Sequence, residues 1–209
     1  MRRIKFNKYS CLGLYFVIIQ ILVFIRNYLS KDYITFFYYC DHIALLLAIA
    51  FFLRNIPLIK AFISIGLISQ LIYATDFISS FFFNKQLTGT TAYLSNYSTL
   101  ALIITLFMHL GTTFVALAFT FKEKNKKNSL IYAFLYTSFL YFITILFTPK
   151  EYDVNCVYNV CGKTYFYFDG FTTYWIILVF VFLIIPTYYF QELLYYISSK
   201  RKQKETLKL

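Results

Sequence analysis

Residues 36–55 read FFYYCDHIALLLAIAFFLRN, a run whose polar letters stand at its two ends and whose middle is apolar without a break. The segment from Phe36 to Leu53 has the length a helix needs to cross about 30 Å of hydrocarbon at about 1.5 Å per residue. Similar runs recur along the chain, separated by charged punctuation. They run approximately Cys11 to Tyr28, Phe36 to Leu53, Pro57 to Phe83, Ser98 to Phe121, Leu130 to Phe147 and Thr173 to Ile197. The whole chain has 209 residues, 60% hydrophobic and 14% charged, too little charge to cover the surface of a soluble domain. The reading is an all-α polytopic membrane protein: six transmembrane helices in a single helical domain over residues 1–209.

Charge placement orients these spans. The formal net charge is +11. With the N-terminus inside, fifteen of the twenty Lys and Arg fall on the cytoplasmic side: four in MRRIKFNK, Arg54, Lys60, four in KEKNKK and five after Ser199. Arg26, Lys31, Lys85, Lys150 and Lys163 are left outside. This asymmetry predicts N-in, C-in topology in the cell membrane. The basic tail is then a topology signal and a contact for anionic lipid, and no nucleic-acid partner is expected. The basic start followed by an apolar run resembles a signal peptide, but no small-residue cleavage site follows, so the segment is expected to remain as the first span.

Several chemistries are excluded. No Walker motif, GxGxxG, HExxH or GxSxG is present, and no cofactor or metal is expected. Cys156 and Cys161 lie in the one substantial outer loop, where an oxidising compartment would allow a disulfide. Pro57 opens the third span, Pro149 ends the fifth, and Pro186 is expected to kink the sixth.

Ionisable groups within a bilayer are costly, which makes each a candidate functional residue. Three stand out. Cys40 lies about 6 to 10 Å below the outer end of its span, Asp76 about 10 Å below, and His109 about 16 Å below, so tilt or a shifted boundary is needed for His109 to reach Cys40. A thiol needs a base to become a nucleophilic thiolate, and a third group usually fixes the imidazole. The functional reading therefore makes Cys40 the nucleophile, His109 its base and Asp76 the orienting acid. The competing readings are a packing cysteine, a helix-bridging histidine, and an aspartate paired with His42 or a backbone amide. Asp41 and His42 are one and two residues from Cys40, so the helix turns them away from it. They read as the polar edge of the second span. Gln20, Gln70, Thr105, Thr112, Thr113, Thr137 and Thr144 read mainly as helix bridges, and Glu192 as a group reaching the headgroups.

The run YYCDHIALLLAIAFFLRN, then GLISQLIYATDF, then FMHLGTTFVALAFTF and a basic loop, resembles the bacterial YwaF family of integral membrane proteins over about Phe36 to Phe147. In that family a Cys opens the second span, a pair such as Arg54-Asn55 closes it, an Asp ends the third and a His-Gly motif sits in the fourth. Here Tyr38 replaces a family His two residues before the Cys, and the His-Gly pair is His109-Leu110-Gly111. YwaF proteins are similar to a eukaryotic transmembrane acyltransferase that remodels ether phospholipids. The resemblance implies a lipid acyltransferase or hydrolase of lipid metabolism, with Cys40 at the acyl-accepting position, His109 as catalytic histidine and membrane lipids as partners. The alternative is a small-molecule-binding subunit of a membrane transporter, since those of vitamin transporters are also basic six-span proteins of this size.

Overall fold

The computed structural model describes residues 7–31, 33–92, 94, 97–159 and 170–206. Eight α-helices account for most of them: α1 Lys8–Ser30, α2 Tyr39–Phe52, α3 Ile56–Phe83, α4 Thr99–Gly111, α5 Thr113–Thr120, α6 Lys127–Phe147, α7 Phe171–Val179 and α8 Ile185–Thr206. No strand occurs among the described residues. Five helical stretches are long and apolar enough to cross a membrane: Lys8–Ser30, Ile56–Phe83, Thr99–Thr120, Lys127–Phe147 and Phe171–Arg201. The chain is thus an all-helical bundle of membrane-spanning character. Large apolar side chains such as Ile18, Phe107, Leu135, Phe142 and Phe182 stand on its outside, as a hydrocarbon solvent permits.

The helix ends follow local chemistry. Asn7 caps α1, its side chain accepting from the Tyr9 and Ser10 amides at 3.0 and 3.2 Å. Asn55 caps α3 through the Leu58 amide at 3.1 Å, with Pro57 in the first turn where its missing N–H costs nothing. Ser98 caps α4. α2 differs from expectation. Residues Ile34–Phe37 form a 3-10 turn, α2 begins only at Tyr39, and its 14 residues make it too short to cross alone. Tyr38, at the N-cap position, makes no side-chain cap bond.

The fourth expected span is one helix broken in two. Thr112 has φ −100° and ψ −84°, which separates α4 from α5. The carbonyls freed at the break find partners: the Tyr15 hydroxyl donates to Gly111 O at 2.9 Å and the Thr112 hydroxyl to Met108 O at 2.6 Å. Gln70 of α3 joins both Thr112, at 3.0 Å, and Thr113. The last span is a helix with a π-helical segment, Phe180–Ile184, between α7 and α8. This stands just before Pro186 and is the distortion that a proline without an N–H introduces.

α1 packs along α2, and α3 packs against α2, α5, α6 and α8. The core is built from Phe16, Ile19 and Val23 of α1, Ile43, Leu47 and Phe51 of α2, and Ile59 and Ile63 of α3. Phe16 and Phe51 stack at 5.3 Å. Gly66 lets three helices approach: a Cβ there would lie 2.8 Å from Thr113 Cγ2, 3.0 Å from Tyr39 Cε1 and 3.1 Å from Ile43 Cδ1. In lipid, close packing of this kind and interhelical hydrogen bonds hold helices together, because hydrocarbon offers no hydrophobic drive between them.

Candidate functional site

The strongest feature of the interior is a buried ion pair between α1 and α2. Arg26 Nη2 lies 2.6 Å from Asp41 Oδ2, with the two side chains 3% and 2% exposed. Asn27 Nδ2 donates to the same Asp41 oxygen at 2.6 Å, and Asn27 Oδ1 accepts from Arg26 Nε and Nη2 at 2.9 and 2.7 Å. Arg26 Nη1 donates to Thr105 Oγ1 of α4 at 3.1 Å and approaches Met108 Sδ at 3.8 Å. Gln20 completes the α1–α2 seam by donating to Asp41 O at 2.8 Å and accepting from the Leu45 amide at 2.9 Å. Planar guanidinium donors and a carboxylate oxygen that accepts twice satisfy each other here, as buried charges require.

This corrects the sequence reading of two residues. Asp41 is not a polar helix edge; it is a buried anion, because Arg26 approaches it from α1. Arg26 is not an outward-facing topology charge; it lies inside the span that contains it. His42 is partly buried, with Nδ1 3.4 Å from Phe36 O and its ring edge-on to Tyr39 and Tyr136 at 5.9 and 6.0 Å.

Cys40 and His109 both abut the ion pair. Cys40 is partly buried and a free thiol, and its Sγ donates to Asp41 Oδ1 at 3.7 Å. His109 Nδ1 is 2.9 Å from Thr105 O. A carbonyl only accepts, so Nδ1 carries a proton and a neutral ring presents its lone pair at Nε2. The ring lies flat on Tyr73, with centroids 3.6 Å apart and planes 7° apart. Thr105 thus fixes the imidazole with its carbonyl and holds Arg26 with its hydroxyl. A chain of contacts runs Cys40, Asp41, Arg26, Thr105, His109. No hydrogen bond joins Cys40 directly to His109 among the described residues.

Asp76 is placed elsewhere. Its Oδ1 accepts from the Thr88 and Gly89 amides at 2.7 and 3.2 Å, and its Oδ2 from the Thr91 amide at 2.9 Å and the Thr90 and Thr91 hydroxyls at 3.2 and 2.7 Å. The carboxylate folds the loop after α3 back onto the helix, and the group bonded to the His109 ring is Thr105 O. The backbone amides are the partners that the competing reading of Asp76 named.

The remaining polar residues divide. Gln20, Gln70, Thr105, Thr112 and Thr113 bridge helices as expected. Glu192 is partly exposed and accepts from the Asn125 backbone amide at 2.9 Å. Cys156 is disulfide-bonded, and its expected partner Cys161 lies outside the described residues. Comparison with known proteins adds no assignment: no family model matches the chain, and no curated protein or solved structure matches it.

Proposed function

We propose that the chain is a multi-pass protein of the cell membrane with both termini in the cytoplasm, related to the YwaF proteins, that transfers or hydrolyses acyl chains of membrane lipids through Cys40. The observation that supports this reading is the contact chain just described, which links the Cys40 thiol to the His109 imidazole through Asp41, Arg26 and Thr105. Cys40 Sγ bonds to the ester carbonyl carbon, the ester C–O bond breaks, and the lysolipid oxygen leaves with a proton. No hydrogen bond joins the thiol to His109, so a water or a lipid hydroxyl carries the thiol proton to His109 Nε2, which returns it to the leaving oxygen. A second lipid hydroxyl, or water, then resolves the thioester. Phospholipid profiling of cells carrying wild type, Cys40→Ala and His109→Ala tests this: the acyl-chain distribution should shift in wild type only, and one distribution shared by all three sinks the reading.

A second reading, a ligand-binding transporter subunit, draws on a different group of residues. Lys60 Nζ, Asn125 Oδ1, Ser129 Oγ, Thr187 Oγ1 and Gln191 Oε1 are buried without a hydrogen-bond partner among the described residues. Lys60 and Gln191 are neighbours, since Gln191 Nε2 donates to Lys60 O at 3.3 Å and to Ser64 Oγ at 2.8 Å. Buried polar atoms of this kind call for a partner. Native mass spectrometry after gentle purification separates the readings: a retained small polar ligand and partner subunits support transport, and their absence removes it.

A further inference from the structure

The start of α2, where Cys40 sits, has no cap of its own, and the missing group comes from the distant loop after α6. Asn155 Oδ1 accepts from the Tyr39 amide at 2.7 Å. Asn155 Nδ2 donates to Phe37 O at 2.9 Å and to Thr144 Oγ1 of α6 at 3.1 Å. One amide side chain therefore grips both sides of the turn that enters α2 and ties it to α6. The Tyr38 hydroxyl adds a bond to Tyr152 O at 2.8 Å.

The loop is built to hold this side chain in place. Asp153, Asn155 and Cys156 have φ of 41°, 56° and 56°, the left-handed region that Asn and Asp tolerate better than other side chains. Asp153 Oδ1 accepts from the Tyr158 and Asn159 amides at 2.8 and 3.1 Å, closing the turn. Val154 and Val157 are fully buried, Val157 against Phe171 and Trp175 of α7. Cys156, next to Asn155, is disulfide-bonded.

We propose that residues 149–159 form a disulfide-anchored clip in which Asn155 is the positioning residue for Cys40, and that breaking the disulfide frees the first turn of α2 and exposes the thiol. Reduction by a dithiol or phosphine adds two electrons and two protons to the S–S bond, giving two thiols and leaving the 153–156 turn held by its hydrogen bonds and the packing of Val154 and Val157 alone. Asn155 then loses its fixed approach, and the Tyr39 amide opens to exchange. The clip lies on the side read above as external, where such a bond persists. The inference rests on Cys40 as the working group of the proposed function, but its test reads thiol access and stays valid if no lipid changes.

The experiment measures the rate of maleimide labelling at Cys40 in purified full-length protein, by peptide mass spectrometry, with exposed Cys11 as the internal reference. In Asn155→Ala and Cys156→Ser the Cys40 rate should rise roughly fivefold or more, the size expected for loss of a helix cap, while the Cys11 rate stays fixed. Asn155→Asp, which keeps the acceptor for the Tyr39 amide, should restore most of the slow rate, which a general loss of packing would not allow. For protein that does not survive substitution, amide exchange at Tyr39 in wild type with and without a phosphine reductant gives the same readout. Unchanged Cys40 labelling in folded variants, or unchanged exchange on reduction, overturns the proposal.

Discussion

Arg26 and Asp41 form an ion pair of 2.6 Å between α1 and α2, closed to solvent and saturated by Asn27 and Thr105. Removing one member leaves the other charge buried and unpaired, at a cost of about 3–5 kcal/mol, whereas replacing both by apolar groups of similar volume is near neutral. Asp41→Leu or Arg26→Met alone should therefore sharply lower the melting temperature in detergent, and the double variant should recover most of the loss. A double variant as unstable as the sum of the singles contradicts this.

Asp76 is assigned to architecture. Asp76→Ala leaves three amides and two hydroxyls of residues 88–91 without their acceptor, so the loop should loosen and stability fall by about 1–3 kcal/mol. Cys40 labelling should not change with it. Faster proteolysis at residues 88–91 together with an unaltered Cys40 rate is the expected pair of results; a Cys40 rate that changes as it does in His109→Ala would return Asp76 to the site.

At Gly66 even one methyl is too much. The Cβ of Gly66→Ala would press on Thr113 as well as on Tyr39 and Ile43, and all three belong to helices fixed by other bonds. Overpacking of this kind costs about 1–3 kcal/mol. A melting temperature at or above wild type would show that α5 can retreat.

Asp153 gives a pH signature outside the spans. Burial pushes its carboxyl above the ordinary carboxylate range, against the opposing pull of the Tyr158 and Asn159 amides. The folded chain thus holds this proton more tightly than the unfolded chain. Its contribution to stability is full below the ordinary value of about 3.9 and is lost as pH rises through the raised value. Compared with Asp153→Asn, which keeps the acceptor but cannot titrate, wild type should lose stability as pH rises across that window and run parallel above it. A difference that grows with pH in the other direction has the wrong sign for a buried carboxyl.

The architecture was legible because lipid imposes length and apolarity on every crossing segment. Runs read to Phe83 and Phe147 end where the helices do, and the run read to Tyr28 stops two residues short of Ser30, at ends that a left-handed residue or a proline enforces. The site was only half legible. Cys40, His109 and Asp76 stood out as isolated polar letters, yet a linear depth count cannot show that a loop folds back over Asp76, because that depends on amides at 88–91. The signal missed was Arg26-Asn27 inside an otherwise apolar span. Counted as a topology charge, Arg26 hid the partner that draws Asp41 into the bundle. The break at Thr112 was also silent in sequence, since Thr is an ordinary residue in apolar helices and only Gln70 from α3 gives it an alternative.

The link from Asn155 to Tyr39 also orders events in time. As the chain emerges, α2 enters its surroundings with its first amide unclaimed, and the side chain that claims it lies beyond four further helices. The entrance to the Cys40 segment is therefore among the last parts of the molecule to become native. A chain arrested before residue 155 should carry a complete α1–α2 seam with a frayed α2 start, so the turn that carries Cys40 stays immature until the loop after α6 has arrived.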